Sequence, residues 1–352
     1  NGRPSLSIDR KNHATKFYPL SDRIMLDNER CIMCTRCVRF THEVSKTHAL
    51  GAVHRGDHSL IRPAENADFN EDVYSDNVID ICPVGALLSR ENLDHARVWY
   101  TKATPSVCPG CARGCSIDVW HRKPEWALKA LDPSLNARIE RVTPRENAEV
   151  NGPWICNKGR DLARIWERPR ATTALVGGTP AALDEAVERA SQLMAEAARG
   201  VVLVSSWGSN EELASLHEVL TGRLASRFTA RVKPDHVPQP GEVLEDDILI
   251  MADKNPNRRA ALALFPALEG EVAAAVADAD LVLVWGEGVT DADLPAGARV
   301  VRLGSYQYET ALRADVFLPI SIQTERDGHY TNAQGVVTAF SSCFAPKGDV
   351  VH

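Results

Sequence analysis

From about residue 171 onward the apolar positions alternate between helical and strand spacing. In AALDEAVERASQLMAEAA (181–198), Leu183, Ala186, Val187, Ala190, Leu193 and Met194 recur at the three- and four-residue steps of one helix face. Gly200 supplies a stop, and VVLVSS (201–206) is the unbroken apolar run of a strand buried on both faces. Ser209 and Asn210 are placed to cap a helix that begins with Glu211, Glu212 and Leu213. DDILIMA (246–252), ADLVLVWGEG (279–288), ARVVRLG (298–304) and ADVFLPI (314–320) predict further strands, the first of them followed by PNRRAALALFPAL. Strands alternating with helices imply an α/β domain with a mainly parallel sheet and right-handed crossovers.

The earlier part of the chain patterns differently. Residues 1–28 are polar and predict an extended arm or a strand leading in. Residues 29–40 form a Cys-bearing loop that runs into a short helix through about Glu43, and 49–62 alternate as a hairpin does. Residues 71–89 predict a short helix ended by Pro83 and Gly85. Residues 96–107 read as a linker, 116–121 and 126–131 as short strands, 132–153 as loop and 157–168 as helix.

At 352 residues the chain has room for two or three domains, and 44% hydrophobic with 25% charged residues is ordinary for a globular protein. No apolar run approaches the roughly 20 residues of a membrane span. A net charge of −7 offers no electrostatic case for nucleic-acid binding. The first residue is Asn1 and no signal-peptide pattern precedes the first domain, so further N-terminal sequence is expected before it.

Nine cysteines change the picture. Cys31, Cys34 and Cys37 stand two residues apart, and Cys82, followed by Pro83, is the available fourth. Three thiols on a curving loop can face one compact object, and a Cys-x2-Cys-x2-Cys run with a Cys-Pro is an iron–sulfur habit. A zinc site would favour two pairs instead. The second set is Cys108-Pro-Gly-Cys111-Ala-Arg-Gly-Cys115, with Cys156 further on. Gly110 and Gly114 allow close backbone approach. Spacing alone favours iron–sulfur here but leaves four-cysteine zinc open. Lys158 and Arg160 would offset a thiolate-ligated cluster's charge, or form a solvated helix face. A disulfide framework fits poorly with so long a chain and such large apolar segments. Cys343 reads as a buried small hydrophobe or free thiol. GTP (178–180) and WGEG (285–288) are glycine turns after strands, short of a dinucleotide fingerprint.

The runs LDNERCIMCTRCVRF, ICPVGALLS, ARVWYTKATPSVCPGCARGCSIDVW and RENAEVNGPWICNKGRDL resemble the large iron–sulfur subunit of bacterial NADH:quinone oxidoreductase, the G or 75-kDa-type subunit of respiratory complex I. ADVFLPISIQTERDGHYTNAQGVVTAF resembles the end of its molybdopterin-oxidoreductase-like domain. The resemblance implies an α+β ferredoxin-like 4Fe–4S module over 1–95 and a small β-rich 4Fe–4S domain over 96–168. An α/β domain of molybdopterin-oxidoreductase type would come after them, over 169–352. The resemblance also implies one [4Fe–4S] cluster on Cys31, Cys34, Cys37 and Cys82 in the main electron path, and a second, off-path one on Cys108, Cys111, Cys115 and Cys156. The family's N-terminal [2Fe–2S] domain and His/three-Cys site have no counterpart here, and His13, His42, His48, His54 and His58 lack the cysteine trio that would make one of them a ligand. The excursion between Cys115 and Cys156 looks longer than usual, with extra loop around 122–142. The α/β region looks short and has no cysteine between 156 and 343, so no molybdopterin is expected.

By that resemblance the chain is an electron carrier without a catalytic centre of its own. It would relay electrons from an NADH/flavin subunit through other iron–sulfur subunits toward quinone, in the peripheral arm on the cytoplasmic side of the bacterial inner membrane. Two alternatives remain. One is a diaphorase-type subunit of a soluble NAD-linked hydrogenase or formate dehydrogenase, and the other a zinc-stapled scaffold with no redox role.

Overall fold

The computed structural model describes residues 15–93, 95–126, 136–222, 224, 226–236 and 241–351, which divide into two compact units. One takes in the described residues up to Arg97 together with Trp154–Arg160; the other takes in Val98–Pro153 and the chain from Asp161 onward.

In the first unit, β1 (Phe17–Pro19) and β2 (Ile24–Asp27) form a hairpin, and β5 (Leu87–Ser89) pairs antiparallel with the far edge of β2. A second hairpin joins β3 (Leu50–Val53) to β4 (Leu60–Pro63), as the alternation of 49–62 predicts. Helix α1 (Arg36–Glu43) turns Cys37, Phe40 and Thr41 inward, and α2 (Asn77–Ile81) buries Asn77 and Val78. Trp154 meets Phe40 edge to face at 5.0 Å, and the short helix α3 (Asn157–Arg160) comes just after it. The expected helix over 71–89 is therefore confined to 77–81, and its last residues are strand. Cys82 precedes a proline, which disfavours helical backbone at that residue, and it is extended at ψ 112°.

The second unit opens with an antiparallel sheet ordered β6 (Thr101–Val107), β7 (Ser116–Arg122), β8 (Ile139–Pro144), with α4 (Leu162–Trp166) after it. Two expectations are corrected here. The "linker" 96–107 holds β6, and the "loop" 132–153 holds β8, a six-residue strand whose Val142 opposes Val119. The 126–131 strand falls largely on 127–135, outside the described residues, while Trp126 ends a short 3-10 turn; of the extra loop expected at 122–142, the described ends include the last residue of β7 and the first four of β8.

A seven-stranded sheet forms the α/β body. Its strands are β9 (Ala174–Val176), β10 (Thr179–Ala181), β11 (Gly200–Val204), β12 (Phe228–Val232), β13 (Leu281–Trp285), β14 (Arg299–Gly304) and β15 (Val316–Pro319), in the order β10-β9-β15-β14-β13-β11-β12. The five strands from β15 to β12 are parallel, and the β9–β10 hairpin adds antiparallel. Helices α5 (Leu183–Glu196), α6 (Asn210–Gly222), α7 (Arg258–Leu264) and α8 (Val272–Val276) accompany it, and β16 (Gly328–Thr331) and β17 (Val337–Phe340) form a terminal hairpin.

Strand β11 shows why the unbroken apolar run matters. Val202 and Val204 pack on one face with Leu213, Leu220 and Ala261, while Val201 and Leu203 pack on the other with Val282 and Val300. Each such side chain contributes roughly 1.5–3 kcal/mol on burial. The α5 helix stops at Glu196, and Gly200 is the first residue of β11 rather than the stop. The α6 cap is as expected: Ser209 Oγ accepts from Glu212 N–H, and Glu212 Oε2 accepts from Ser209 N–H. DDILIMA is not a strand. The Asp246 carboxylate accepts the backbone N–H groups of Ile248, Leu249 and Ile250, each at 2.9 Å, and coils the segment into a turn. No described helix is long and apolar enough to cross a membrane.

Candidate metal centres

Cys31, Cys34, Cys37 and Cys82 line one cavity in the first unit, with Leu26, Ile32, Ile61, Val84, Ala86 and Leu87 making most of the remaining wall. Cys31 and Cys34 come from the loop after β2, Cys37 from the first turn of α1, and Cys82 from the end of α2. The loop is tightened by two non-glycine residues in left-handed backbone, Met33 (φ 52°) and Thr35 (φ 60°), on either side of Cys34. Such residues cost about 1–3 kcal/mol each and persist where the surroundings over-determine them.

The thiols feel one another. Burial, then the neighbouring Cys82 and Cys34, raise Cys31, while the Met33 N–H hydrogen-bonded to its sulfur opposes the rise. Burial, helped by Cys31 and Cys34, pushes Cys37 up to about 11 against a hydrogen bond from the Val38 N–H. A ligand that takes thiolates must therefore displace protons here. Among the described residues no three His, Cys, Asp or Glu converge closely enough to hold one metal ion.

In the second unit, Cys108, Cys111 and Cys115 lie on the loop between β6 and β7, and all three are buried. Cys108 N–H donates to Cys115 O at 2.8 Å, closing the loop, and Gly110 N–H reaches Cys108 Sγ at 3.4 Å. Gly114, at φ 61°, is needed: a Cβ there would lie 3.1 Å from Asn332 Cβ. The loop is anchored by Ala112 N–H to Asp253 O, Ala333 N–H to Ala112 O, and Arg113 Nε to Leu249 O. The coiled 246–253 segment thus acts as a support for the cysteine loop. Cys156, the fourth member by spacing, folds with the first unit, immediately before α3.

Cys343 is partly buried, its thiol pushed up to about 11 by burial, so it is a poor nucleophile at neutral pH. The GTP turn is a two-residue hairpin loop, with Gly177 (φ 55°) and Gly178 (φ 80°) joining β9 to β10.

Ligands of open α/β sheets bind outside the carboxyl ends of the strands. Here that rim is occupied by ion pairs within the chain. Lys233, after β12, is fully buried, and its Nζ donates to Asp235 and to Glu287 O. Arg168 pairs with Glu287 and lies over the Tyr306 ring at 3.7 Å, and Arg326 pairs with Glu212. These are the kind of cations that an anionic dinucleotide-type cofactor needs, and each is already committed to a partner in the chain. Residue patterning signalled none of these pairs, because most of them join segments remote in sequence.

Glu309, at the same rim, accepts the N–H groups of Ser305 and Tyr306 at 2.8 Å each. Burial nevertheless raises it from 4.5 to about 7. Between those two values the native state holds a proton that the unfolded chain has released, so stability falls as pH rises through this window. The expected loss is on the order of 2–3 kcal/mol. Glu309→Gln flattens that dependence in denaturant titrations made below 4.5 and above 7; an unchanged slope would place its source elsewhere.

Three family models match the chain. Residues 21–88 match the ferredoxin-like domain of NADH-quinone oxidoreductase subunit 3, 101–168 the molybdopterin oxidoreductase Fe4S4 domain, and 286–350 the molybdopterin oxidoreductase model. Together with the fold they define an iron–sulfur protein in which a ferredoxin-like domain is joined to domains of molybdopterin-oxidoreductase type. The chain is similar to large iron–sulfur subunits of NADH-quinone oxidoreductase, named G or 3 in different bacteria. It is 33% identical to NADH-quinone oxidoreductase subunit 3 of Thermus thermophilus over 66% of its own length and 27% of the relative's. To the NADH-quinone oxidoreductase G subunit of Streptomyces coelicolor it is 34% identical over 55% of its length and 22% of the relative's. To the NADPH-Fe(3+) oxidoreductase subunit alpha of Geobacter sulfurreducens it is 31% identical over 52% and 20%. The chain spans about a quarter of the length of the curated relatives it matches, at 27% and 22% for the first two.

Proposed function

We propose that the chain is a one-electron relay holding two [4Fe–4S] clusters, working between an NADH/flavin subunit and further iron–sulfur subunits that lead to quinone. The observation that carries this reading is the apolar cavity lined by Cys31, Cys34, Cys37 and Cys82. Four thiols spread around a cavity suit a cluster in which each binds its own iron. One zinc would instead draw four sulfurs to about 2.3 Å from a single point. For the second cluster, Cys108, Cys111 and Cys115 supply three thiolates from one loop, and Cys156 is proposed as the fourth on sequence spacing. The rim of the α/β sheet is proposed to hold no molybdopterin, its cations being internally paired.

A [4Fe–4S] cluster supplies reversible one-electron chemistry when bound. The chain's own residues do the rest. Leu26, Ile61 and Leu87, all buried, give the cavity an apolar inner wall, the Met33 and Val38 N–H groups offset thiolate charge, and the left-handed loop presents three thiols from seven residues. No general acid, base or nucleophile is needed. The cytoplasmic face of a bacterial membrane is the proposed location.

Iron, sulfide and zinc content of the anaerobically purified chain, with EPR after dithionite reduction, tests the reading. About eight irons and two reduced signals are expected for two four-iron clusters. Zinc alone, with no reduced signal, would overturn it. A second reading, service in a diaphorase-type assembly, draws on the relative named NADPH-Fe(3+) oxidoreductase subunit alpha. Co-purifying subunits separate the two.

A further inference from the structure

The loop that carries Cys108, Cys111 and Cys115 is gripped by segments that come after β12 in the sequence. Just before Cys108, Val107 O accepts from Gln323 Nε2 at 2.7 Å, and Gln323 is buried. Between Cys111 and Cys115, Ala112 N–H donates to Asp253 O at 2.8 Å and Ala112 O accepts from Ala333 N–H at 2.9 Å. The Arg113 guanidinium donates to Leu249 O at 3.2 Å and Ile248 O at 3.4 Å. Its backbone carbonyl accepts from Asn332 Nδ2 at 3.1 Å. Asn332 and Ala333 stand in the turn that joins β16 to β17.

Asn332 is buried, and its Oδ1 accepts the N–H groups of Gln334 at 3.0 Å and Val336 at 2.9 Å. That turn locks the side-chain amide and aims Nδ2 at the cysteine loop. Its Cβ also takes the space that Gly114 leaves open. An amide with both ends used at a buried position holds geometry tightly, because losing either partner strands a polar group. The Ala112 N–H is spent on Asp253 O, so the middle of the loop is held by the chain itself and not by what the thiols bind. Ligands fixed in this way by their supporting residues need little further ordering when a cluster is taken up.

We propose that the α/β body serves as a clamp for the second cysteine set, with Asn332 a positioning residue that holds Cys111 and Cys115 in place for a [4Fe–4S] cluster. The proposal rests on the iron–sulfur reading of that set. It goes beyond that reading by giving the α/β body, whose rim cations are paired internally, a part in cluster binding.

EPR of the anaerobically purified, dithionite-reduced full chain tests it, together with the rate at which iron is lost to a ferrous chelator. Cys34→Ala, which lacks the first signal, identifies the second. Asn332→Asp keeps the acceptor for Gln334 and Val336 but sets a carboxylate oxygen against the Arg113 carbonyl in place of a donor. The second signal is expected to change line shape, and its iron to be lost about tenfold faster or more, the usual scale for a residue that orients a metal ligand. The first signal stays as in the parent and serves as the internal reference. Arg113→Met removes the hold on residues 248–249 and leaves the β16–β17 turn intact, and a smaller change in the same direction is expected. A lower melting temperature in Asn332→Asp, with both signals and the release rate as in the parent, would mean an ordinary structural contact and would overturn the proposal. Should Asn332→Asp fail to fold, a parental release rate in Arg113→Met overturns it equally. A parent chain with the first signal alone would sink the iron–sulfur reading of the second set, an outcome distinct from a parent with two signals and insensitive variants.

Discussion

On the proposed relay function, Cys34→Ala is expected to strip the first cluster, removing about four irons per chain and one reduced EPR signal, and to stop NADH-driven quinone reduction in the assembled complex. Cys34 is the middle thiol of the Cys31–Cys37 loop and is flanked by both left-handed residues, Met33 and Thr35. In the apo chain that loop carries strain at about 1–3 kcal/mol per residue. On the proposed reading, cluster ligation offsets that strain and the cost of removing protons from buried thiols such as Cys37. With three ligands left, both costs stand against a weaker bond set. The first unit should then also melt earlier than in the parent. Quinone reduction at the parent rate, with iron content unchanged, would show that these thiols are not ligands.

The second large effect concerns stability. Lys233→Met is expected to destabilise the second unit by about 3–5 kcal/mol, the range for breaking a buried ion pair from one side. Lys233 is fully buried, and its ammonium serves both Asp235 and the Glu287 carbonyl, linking the end of β12 to the turn after β13. Without it, Asp235 keeps the Ser206 N–H at 2.8 Å but loses its counter-charge, and burial pushes its carboxyl up toward the neutral form. Gly288 leaves no slack in that turn, since a Cβ there would lie 2.9 Å from Pro234 O. The double variant Lys233→Met/Asp235→Asn retains the acceptor for Ser206 without the charge and should recover much of the loss. Urea titrations of the two variants decide it: a loss below about 1 kcal/mol in the single variant would class the pair with surface contacts.

Most of the α/β body was legible because its signals are local. The 3.6-residue spacing of Leu183, Ala186, Ala190 and Leu193 reports one buried helix face, and the run at 201–204 reports a strand covered on both sides. The same logic failed at 246–252. An apolar run says that residues are buried, not that their N–H groups pair along a ladder, and Asp246 captured three of them first. It failed at β8 too, where Arg141, Thr143 and Pro144 mask the inward Ile139 and Val142.

The sequence by itself determined the chemistry on offer: two sets of cysteines at ligand spacing, a proline after Cys82 that ends α2, and glycines where the loops turn. Those are properties of a few neighbouring residues, set by chain geometry. Tertiary structure alone decided that Cys156 folds with the first unit, that 246–253 supports the Cys108–Cys115 loop, and that the sheet rim is filled by Lys233, Arg168 and Arg326 paired to carboxylates. Each of these depends on a polar or charged group finding its partner through the folded chain, and a local pattern of polar and apolar positions does not record which partner such a group will take.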